Sequence, residues 1–417
     1  MDGVQGRMYK EKDRYPTWEE TKELLSKLVR TDTCQPSGNE EILVRTILKR
    51  LKGRARYEVV PHGEKRASLI VKLPGKCDEG GIVFAGHLDT VAWKGNTEWK
   101  YPPHSAVVRG NRLYGRGAAD MKGGIAAMLL TAEYLLDKNV DLKKTVYFCF
   151  TADEENQGIG AVTLAAHPWL LRAGELIICE PTNLKAGCCE KGALWLLLNV
   201  KGVSAHGSAP KKGINALEYA MELAVKIKEM VKDHSPSHPY LGSATAAVTG
   251  IQSGSSVNVI PDMARAVLDI RTVPESLSNA EIIRNAKQYA RELMQAIKGL
   301  EIEVQVLNDR PSLENPADSG IAKRMSVILG RNKRSSEGKG IHYYTDASQL
   351  VPALSLPFLI LGPGREDQMH CIDESVDIEE VREAVNIYLD YILEDQEERG
   401  EVRCHKDIKR QERNMER

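Results

Sequence analysis

Apolar positions along this chain fall into two rhythms, and their alternation predicts the elements. Steps of three and four residues mark amphipathic helices over Trp18 to Val29 and Asn39 to Leu51, the second with Glu40 and Glu41 in its first turn. Ser68 to Leu73 alternates as a strand. Ile82-Val83-Phe84-Ala85 and Thr145 to Phe150 are unbroken apolar runs, the pattern of strands buried on both faces. Leu176 to Cys179 and Pro357 to Leu361 read the same way. Between these runs, Met121, Ile125, Met128, Leu129, Ala132 and Leu136 form one helical stripe, with Asp120 at its start. Further helices are predicted from Gly158 through Ala166 and over Ile321 to Leu329. Strands and helices alternating in this way predict an α/β fold, a mixed and mostly parallel sheet sandwiched by helices.

From about Lys191 the texture changes. Leu194 to Val200 reads as a strand, Ile214 to Lys232 as a helix, Ala244 to Ile251 and Ala264 to Val273 as strands, Asn279 to Ile297 as a helix and Glu301 to Leu307 as a strand. The order βαββαβ is that of a ferredoxin-like unit. It interrupts the larger domain, which predicts a first segment over 1–191, an inserted unit over 192–307, a returning segment over 308–393 and a charged tail over 394–417.

At 417 residues and 42% hydrophobic content the chain can bury two cores. Lys and Arg total 57 against 58 for Asp and Glu, so charge gives no case for nucleic acid or an anionic membrane, and a small ligand is expected. The N-terminus is polar, and no apolar run approaches the roughly 20 residues of a membrane span, so a cytoplasmic location is expected. The eight Cys are scattered without a Cys-x-x-Cys pair, as buried reduced thiols would be.

The candidate chemistry sits where apolar runs end. Asp120 follows Gly115-Arg116-Gly117-Ala118-Ala119. Alone it reads as a helix cap, and a dinucleotide loop is excluded by the missing third glycine and by the acid itself. After the run at Ile82 come His87 and Asp89, which an extended backbone turns to one side. An isolated pair of this kind is usually a structural His satisfied by its neighbour; at a strand end it also suits a metal ligand oriented by a carboxylate. Asp153, Glu154 and Glu155 leave the next run, Glu180 leaves another, and His370 follows the last. The edge where α/β strands end is where such sheets carry sites. His87, Asp120, Glu155, Glu180 and His370 together make a nitrogen and oxygen ligand set for two divalent ions, zinc first, with one carboxylate bridging and Glu154 left as general base.

On these motifs the chain resembles the co-catalytic zinc hydrolases that include acetylornithine deacetylase, succinyl-diaminopimelate desuccinylase, aminoacylase and carboxypeptidase G. The resemblance runs from about Trp18 to Leu389 and rests on Gly86-His87-Leu88-Asp89-Thr90-Val91, Gly115 to Gly123, Glu154-Glu155, Glu180-Pro181-Thr182, Ser204-Ala205-His206-Gly207 and His370. It implies that Asp120 bridges two Zn2+ (Co2+ or Mn2+ as substitutes), that His87 and Glu180 complete one site, and that Glu155 and His370 complete the other. Asp89 is implied to orient and Glu154 to carry the proton. The inserted unit is implied to be a lid and homodimerisation domain, with His206 and Asn258 polarising the scissile carbonyl and Arg271 binding the substrate carboxylate. Glu180 in place of Asp implies the deacetylase and desuccinylase branch, acting on an N-acyl amino acid. The rival within this chemistry is an exopeptidase of short peptides; outside it stand a dinuclear phosphoesterase and a metal-binding protein without catalysis. Tyr344 and Met369 depart from residues frequent in the relatives, which implies a reshaped pocket beside the second metal.

Overall fold

The unbroken apolar runs become the middle of one sheet. In the protein, described here from a computed structural model over residues 15–93, 98–316 and 318–394, this sheet has nine strands, of which the six that follow one another from one edge are β1 (Arg56–Pro61), β2 (Ala67–Leu73), β3 (Cys77–His87), β4 (Lys144–Thr151), β5 (Ala173–Ile178) and β6 (Phe358–Ile360). Their order is β1-β2-β4-β3-β5-β6. The last four are mutually parallel, whereas β1 and β2 are antiparallel to their neighbours. Ile82 to Ala85 are at most 1% exposed, as a strand flanked and covered on all sides must be. Strand β1 is mostly exposed, which is why its residues carry no apolar rhythm.

Two groups of helices cover this sheet. Trp18–Arg30, Gly123–Asp137 and Ile378–Glu394 pack on one another, and Ile159–Ala165 packs on Ala347–Leu354. The first helix is closed by a capping box in which Thr17 accepts from the Glu20 amide and Glu20 accepts from that of Thr17, worth about 1 kcal/mol. Gly123–Asp137 departs from the expected one-sided stripe, because nearly every residue from Gly123 to Leu135 is buried. Gly124 makes this possible: a Cβ there would stand 2.1 Å from the Cys179 carbonyl oxygen at the end of β5. No helix among the described residues is long and apolar enough to cross a membrane.

The helix also begins later than expected. Ala118–Lys122 forms an irregular turn with non-helical backbone at Asp120 (φ −117°, ψ 95°), and the regular helix starts at Gly123. Asp120 is therefore not its cap. The physical reason lies with Glu374, whose carboxylate accepts the amides of Gly117, Ala119 and Asp120, taking the backbone donors that a helix start would leave free.

The chain divides into two compact units, Met1–Cys188 with Asn315–Lys339 and Thr345–Arg417, and Cys189–Glu314 with Gly340–Tyr344. The second is somewhat larger than the expected 192–307. Its antiparallel sheet has the order Thr245–Ser253, Met263–Arg271, Ala193–Lys201, Glu301–Arg310, joined by helices Ala216–Asp233 and Asn279–Ala296. That is the strand order of the ferredoxin-like βαββαβ unit. Alternate residues of Ala193–Lys201 are buried, whereas the edge strand Thr245–Ser253 is exposed along most of its length. The tail expected over 394–417 lies outside the described residues beyond Glu394.

Candidate active site

Register brings the candidate residues of the first unit to one edge. Ala85 of β3 pairs with both Cys149 of β4 and Ile178 of β5, and His87 pairs with Thr151. Two residues beyond that level, the parallel strands release His87, the turn carrying Glu154 and Glu155, and Glu180 side by side. Asp120 arrives from the irregular turn that Glu374 pins, and His370 from the segment after β6.

The carboxylate of Asp120 occupies the centre. Its Oδ1 lies 3.0 Å from His87 Nε2 and its Oδ2 3.1 Å from His370 Nε2. Glu180 Oε1 stands 3.4 Å from His87 Nε2, and Glu155 Oε1 3.1 Å from His370 Nε2. The five residues thus divide into two sets, each an imidazole and a glutamate, sharing one aspartate. All but His370 are more than nine-tenths buried, and His370 is about half exposed.

The next partners explain why these atoms point inward. His87 Nδ1 lies 3.0 Å from the main-chain oxygen of Asp89. A carbonyl only accepts, so Nδ1 carries a proton and Nε2 is the ring nitrogen turned to Asp120 and Glu180. The Asp89 carboxylate is farther, 3.7 Å from that ring nitrogen, and is used elsewhere. It accepts the amides of Glu154 and Glu155, each at 3.1 Å, and the Gln35 side-chain amide at 2.7 Å. Asp89 therefore orients the Glu154–Glu155 turn with its side chain and His87 with its backbone. Arg66 completes the support by pairing with Asp153 and donating to Gln35.

Electrostatics mark the site as one built for cations. Burial, and then the charge of Asp120, push the Glu180 carboxyl up to about 8. Burial raises Glu155 as well, and drives Glu154 well above the usual carboxylate range with the charges of Glu155, Asp346 and Glu180 adding to it. Burial opposes an imidazolium at His370, yet hydrogen bonds to Asp120 and Glu155 outweigh it and lift the ring to about 11. Glu180 Oε2 is buried without a hydrogen-bond partner. Crowded buried acids and an orphaned carboxylate oxygen are costly unless cations neutralise them. The oxygen and imidazole donors fit zinc-class divalent ions.

Sequence reasoning passed over Gln35, Arg66, Arg116 and Glu374. Arg116 Nη1 donates to Glu374 at 2.7 Å in a buried pair, so Glu374 is neutralised while it holds the backbone of residues 117–120. Arg116 stands inside the quoted Gly-Arg-Gly motif, and that was the one available signal.

The remaining candidates belong to the second unit. His206 and Asn258 are brought together there: Ala205–His206 pairs with Val259–Ile260, and the Gly207 amide donates to the Asn258 oxygen at 2.7 Å. Both side chains are exposed, and His206 Nδ1 lies 2.8 Å from Ser208 Oγ. Arg271, at the end of Met263–Arg271, donates its Nε and Nη2 to Asp269 at 2.8 and 3.1 Å. Tyr344 is in this unit too, with the Arg310 guanidinium 5.6 Å from its ring centre, and Met369 ends the short turn Glu366–Gln368 of the first unit.

A parallel α/β core that brings two imidazoles and three acids together at one edge suits metal-dependent hydrolysis. Residues 83–394 match the peptidase family M20/M25/M40, and the chain belongs to that family, whose members hydrolyse amide bonds. It is 31% identical over 376 residues to an acetylornithine deacetylase of Aliivibrio salmonicida, covering 87% of this chain and 93% of the relative. A probable succinyl-diaminopimelate desuccinylase of Staphylococcus aureus is 26% identical over 403 residues, covering 89% and 95%. Among solved structures, an M20 family metallo-carboxypeptidase of Sulfolobus solfataricus shares the fold with a TM-score of 0.70 at 18% identity, covering 88% of this chain and 97% of the other.

Proposed function

We propose that this protein is a cytoplasmic deacylase that hydrolyses the amide bond of an N-acyl amino acid with two Zn2+ per subunit. The observation that carries the reading is the Asp120 carboxylate, whose two oxygens face two different imidazoles, each with its own glutamate. His87, Asp120 and Glu180 would hold one ion, and Asp120, Glu155 and His370 the other. When bound, such ions polarise the amide carbonyl and acidify a water. Glu154 takes the proton from that water and returns it to the leaving amine, and Asp89 fixes the turn from which it does so. His206 and Asn258 donate to the carbonyl oxygen as it gains charge. Arg271 binds the substrate carboxylate in a fork-to-fork pair, exchanging Asp269 for it.

The two named relatives, a deacetylase and a desuccinylase, support this substrate class. The carboxypeptidase fold supports the second reading, an exopeptidase of short peptides. A homodimer through the second unit is supported by its exposed edge strand, where Val248 and Ile251 are 39% and 45% exposed, and by Met221 and Val225 on the helix beside it, each 51% exposed. An open edge with apolar side chains is a template for strand addition.

Zinc-loaded protein assayed on acetylornithine, succinyl-diaminopimelate and a dipeptide panel decides between the readings. Turnover confined to N-acyl amino acids is expected, and turnover confined to dipeptides replaces the deacylase with the exopeptidase. Mixed dimers of Glu154→Gln and His206→Ala chains test the assignment of His206. If it serves the partner's site, one site in each mixed dimer is intact and up to about half of wild-type activity returns, because one oxyanion donor carries roughly 10²- to 10³-fold in rate. Subunit exchange without recovery rejects action across the interface.

A further inference from the structure

A second cluster of metal-ligating side chains lies in the first unit, apart from the five residues above. Asp32, Cys34 and His104 each offer one ligand atom, all within 4.8 Å of one another. His104 Nε2 stands 3.5 Å from Asp32 Oδ1 and 3.9 Å from Cys34 Sγ. We propose that Asp32, Cys34 and His104 form a further binding site for a Zn2+-class ion, with Cys34 as a thiolate ligand and one coordination position left to solvent.

Three features of the local structure argue for it. First, the separations suit the ion. Bond lengths of about 2.3 Å to sulfur and about 2.0 Å to nitrogen and oxygen set tetrahedral ligand atoms roughly 3.3 Å apart for nitrogen and oxygen and roughly 3.5 Å apart where sulfur is one of the pair. His104 Nε2 stands 3.5 Å from Asp32 Oδ1 and 3.9 Å from Cys34 Sγ, a few tenths of an ångström beyond those values, and side-chain rotation has to close the rest of a set whose atoms all lie within 4.8 Å of one another. Second, the imidazole is already turned for coordination. His104 Nδ1 lies 3.3 Å from the Val29 carbonyl oxygen, which can only accept, so Nδ1 carries the proton and Nε2 directs its lone pair at the aspartate and the thiol. Hydrogen bonding of the far ring nitrogen to a backbone carbonyl is how metal-bound histidines are commonly held. Burial lowers the His104 pKa, which favours the neutral ligand form.

Third, the backbone that carries the ligands is fixed. The Cys34 amide donates to Asp32 Oδ1 at 2.9 Å, the Thr33 hydroxyl donates to the Leu88 oxygen at 2.8 Å, and the Gln35 amide donates to the Thr90 oxygen at 2.9 Å. Cys34 Sγ lies 3.3 Å from Thr90 Oγ1. The buried ammonium of Lys122, which donates to the Thr31 oxygen at 2.7 Å, lowers the cost of a thiolate at Cys34 although burial of the thiol opposes it. A soft thiolate with an imidazole and a carboxylate selects zinc-like ions over magnesium or calcium. Since Gln35 holds the Asp89 carboxylate, an ion at Cys34 would sit one residue from the support of the Glu154–Glu155 turn.

The five residues around Asp120 include no sulfur, so a spectroscopic probe separates the two places. The full chain, stripped with chelator and reduced, is titrated with Co2+ and followed in the near ultraviolet for a sulfur-to-cobalt charge-transfer band. Wild type is expected to show the band, and Cys34→Ser to lack it while binding one fewer equivalent of Co2+. His104→Ala is expected to weaken the ion responsible for the band by at least tenfold, with an unchanged circular dichroism spectrum. Cys371→Ser, at the other partly exposed thiol among the described residues, is expected to leave the band intact. A wild type without the band, or a band that survives Cys34→Ser, overturns the proposal. Neither result depends on how many ions the Asp120 cluster holds or on which amide is hydrolysed.

Discussion

The two units carry their candidate residues in opposite ways. In the first, Asp120, Glu155, Glu180 and His87 are nearly all buried, and the turns that carry them are pinned by second carboxylates, Glu374 under Asp120 and Asp89 under Glu154 and Glu155. In the second, His206 and Asn258 are exposed, and Arg271 is occupied by its own strand neighbour Asp269. Groups whose charges must act on reacting atoms gain from a dry and rigid frame, and their burial is costly enough that the fold must enforce it. Groups proposed to meet a substrate from solvent could exchange one partner for another, and Arg271 stands at a partly exposed strand end.

The sharpest way to break this contrast is at Glu154. Glu154→Gln is expected to keep the metals and lower kcat by roughly 10²- to 10⁴-fold, since the amide cannot carry the proton; metal analysis beside steady-state kinetics checks it, and near-normal kcat with full metal content moves the base elsewhere. A step away from the reacting atoms the effect should shrink. Asp89→Asn keeps the shape of the turn but weakens its hold on the Glu154 and Glu155 amides, and a roughly 10- to 100-fold loss in activity or metal affinity is expected, as for other residues that support metal ligands.

In the second unit the expected change is in KM rather than kcat. Arg271→Lys loses the paired geometry, and a charge-assisted hydrogen bond of about 1.5 to 3 kcal/mol corresponds to roughly a 10- to 100-fold rise in KM for acids. C-terminal amides of the same substrates should be poor with wild type and indifferent to the substitution. Equal hydrolysis of acid and amide by wild type would leave Arg271 as the partner of Asp269 and nothing more.

The smallest effect concerns the frame itself. Glu40 is fully buried, its carboxylate oxygens lack hydrogen-bond partners, and burial followed by the charge of Asp89 pushes its pKa up to about 7. The folded state therefore holds a proton that the unfolded chain releases near 4.5. Stability from this group is fully present below about 4.5 and is lost as pH rises through about 7. Glu40→Gln, neutral at every pH, should show a Tm that gains on wild type between pH 5 and 8; parallel Tm curves would locate the charge elsewhere.

The same contrast explains what the sequence makes legible. His87, Glu154, Glu155 and Glu180 were legible as candidates because each lies at or a few residues beyond the end of an apolar run, the edge where such sheets carry sites. The βαββαβ order of the second unit was legible from its alternation. Glu374 was not, because its partners at residues 116 to 120 are more than 250 positions away and nothing beside it in the chain marks it. Local spacing marks Asp89 as a neighbour of His87 but does not tell that its side chain holds the Glu154 turn while its backbone meets His87. Gly340–Tyr344 gave no sign of joining the second unit, since that depends on pairing across the fold, as between Lys191 and Ile341.

The bond from Glu374 to the Asp120 turn also sets a schedule for the chain as it is made. His87, Asp120, Glu155 and Glu180 leave the ribosome before the second unit has been translated, whereas His370 and Glu374 follow it. Until those two residues emerge, the shared aspartate has neither its second imidazole nor the carboxylate that pins its backbone. A half-made chain thus carries Asp120 without the contacts that arrange it, and the cluster is complete only when the chain has returned to its first unit.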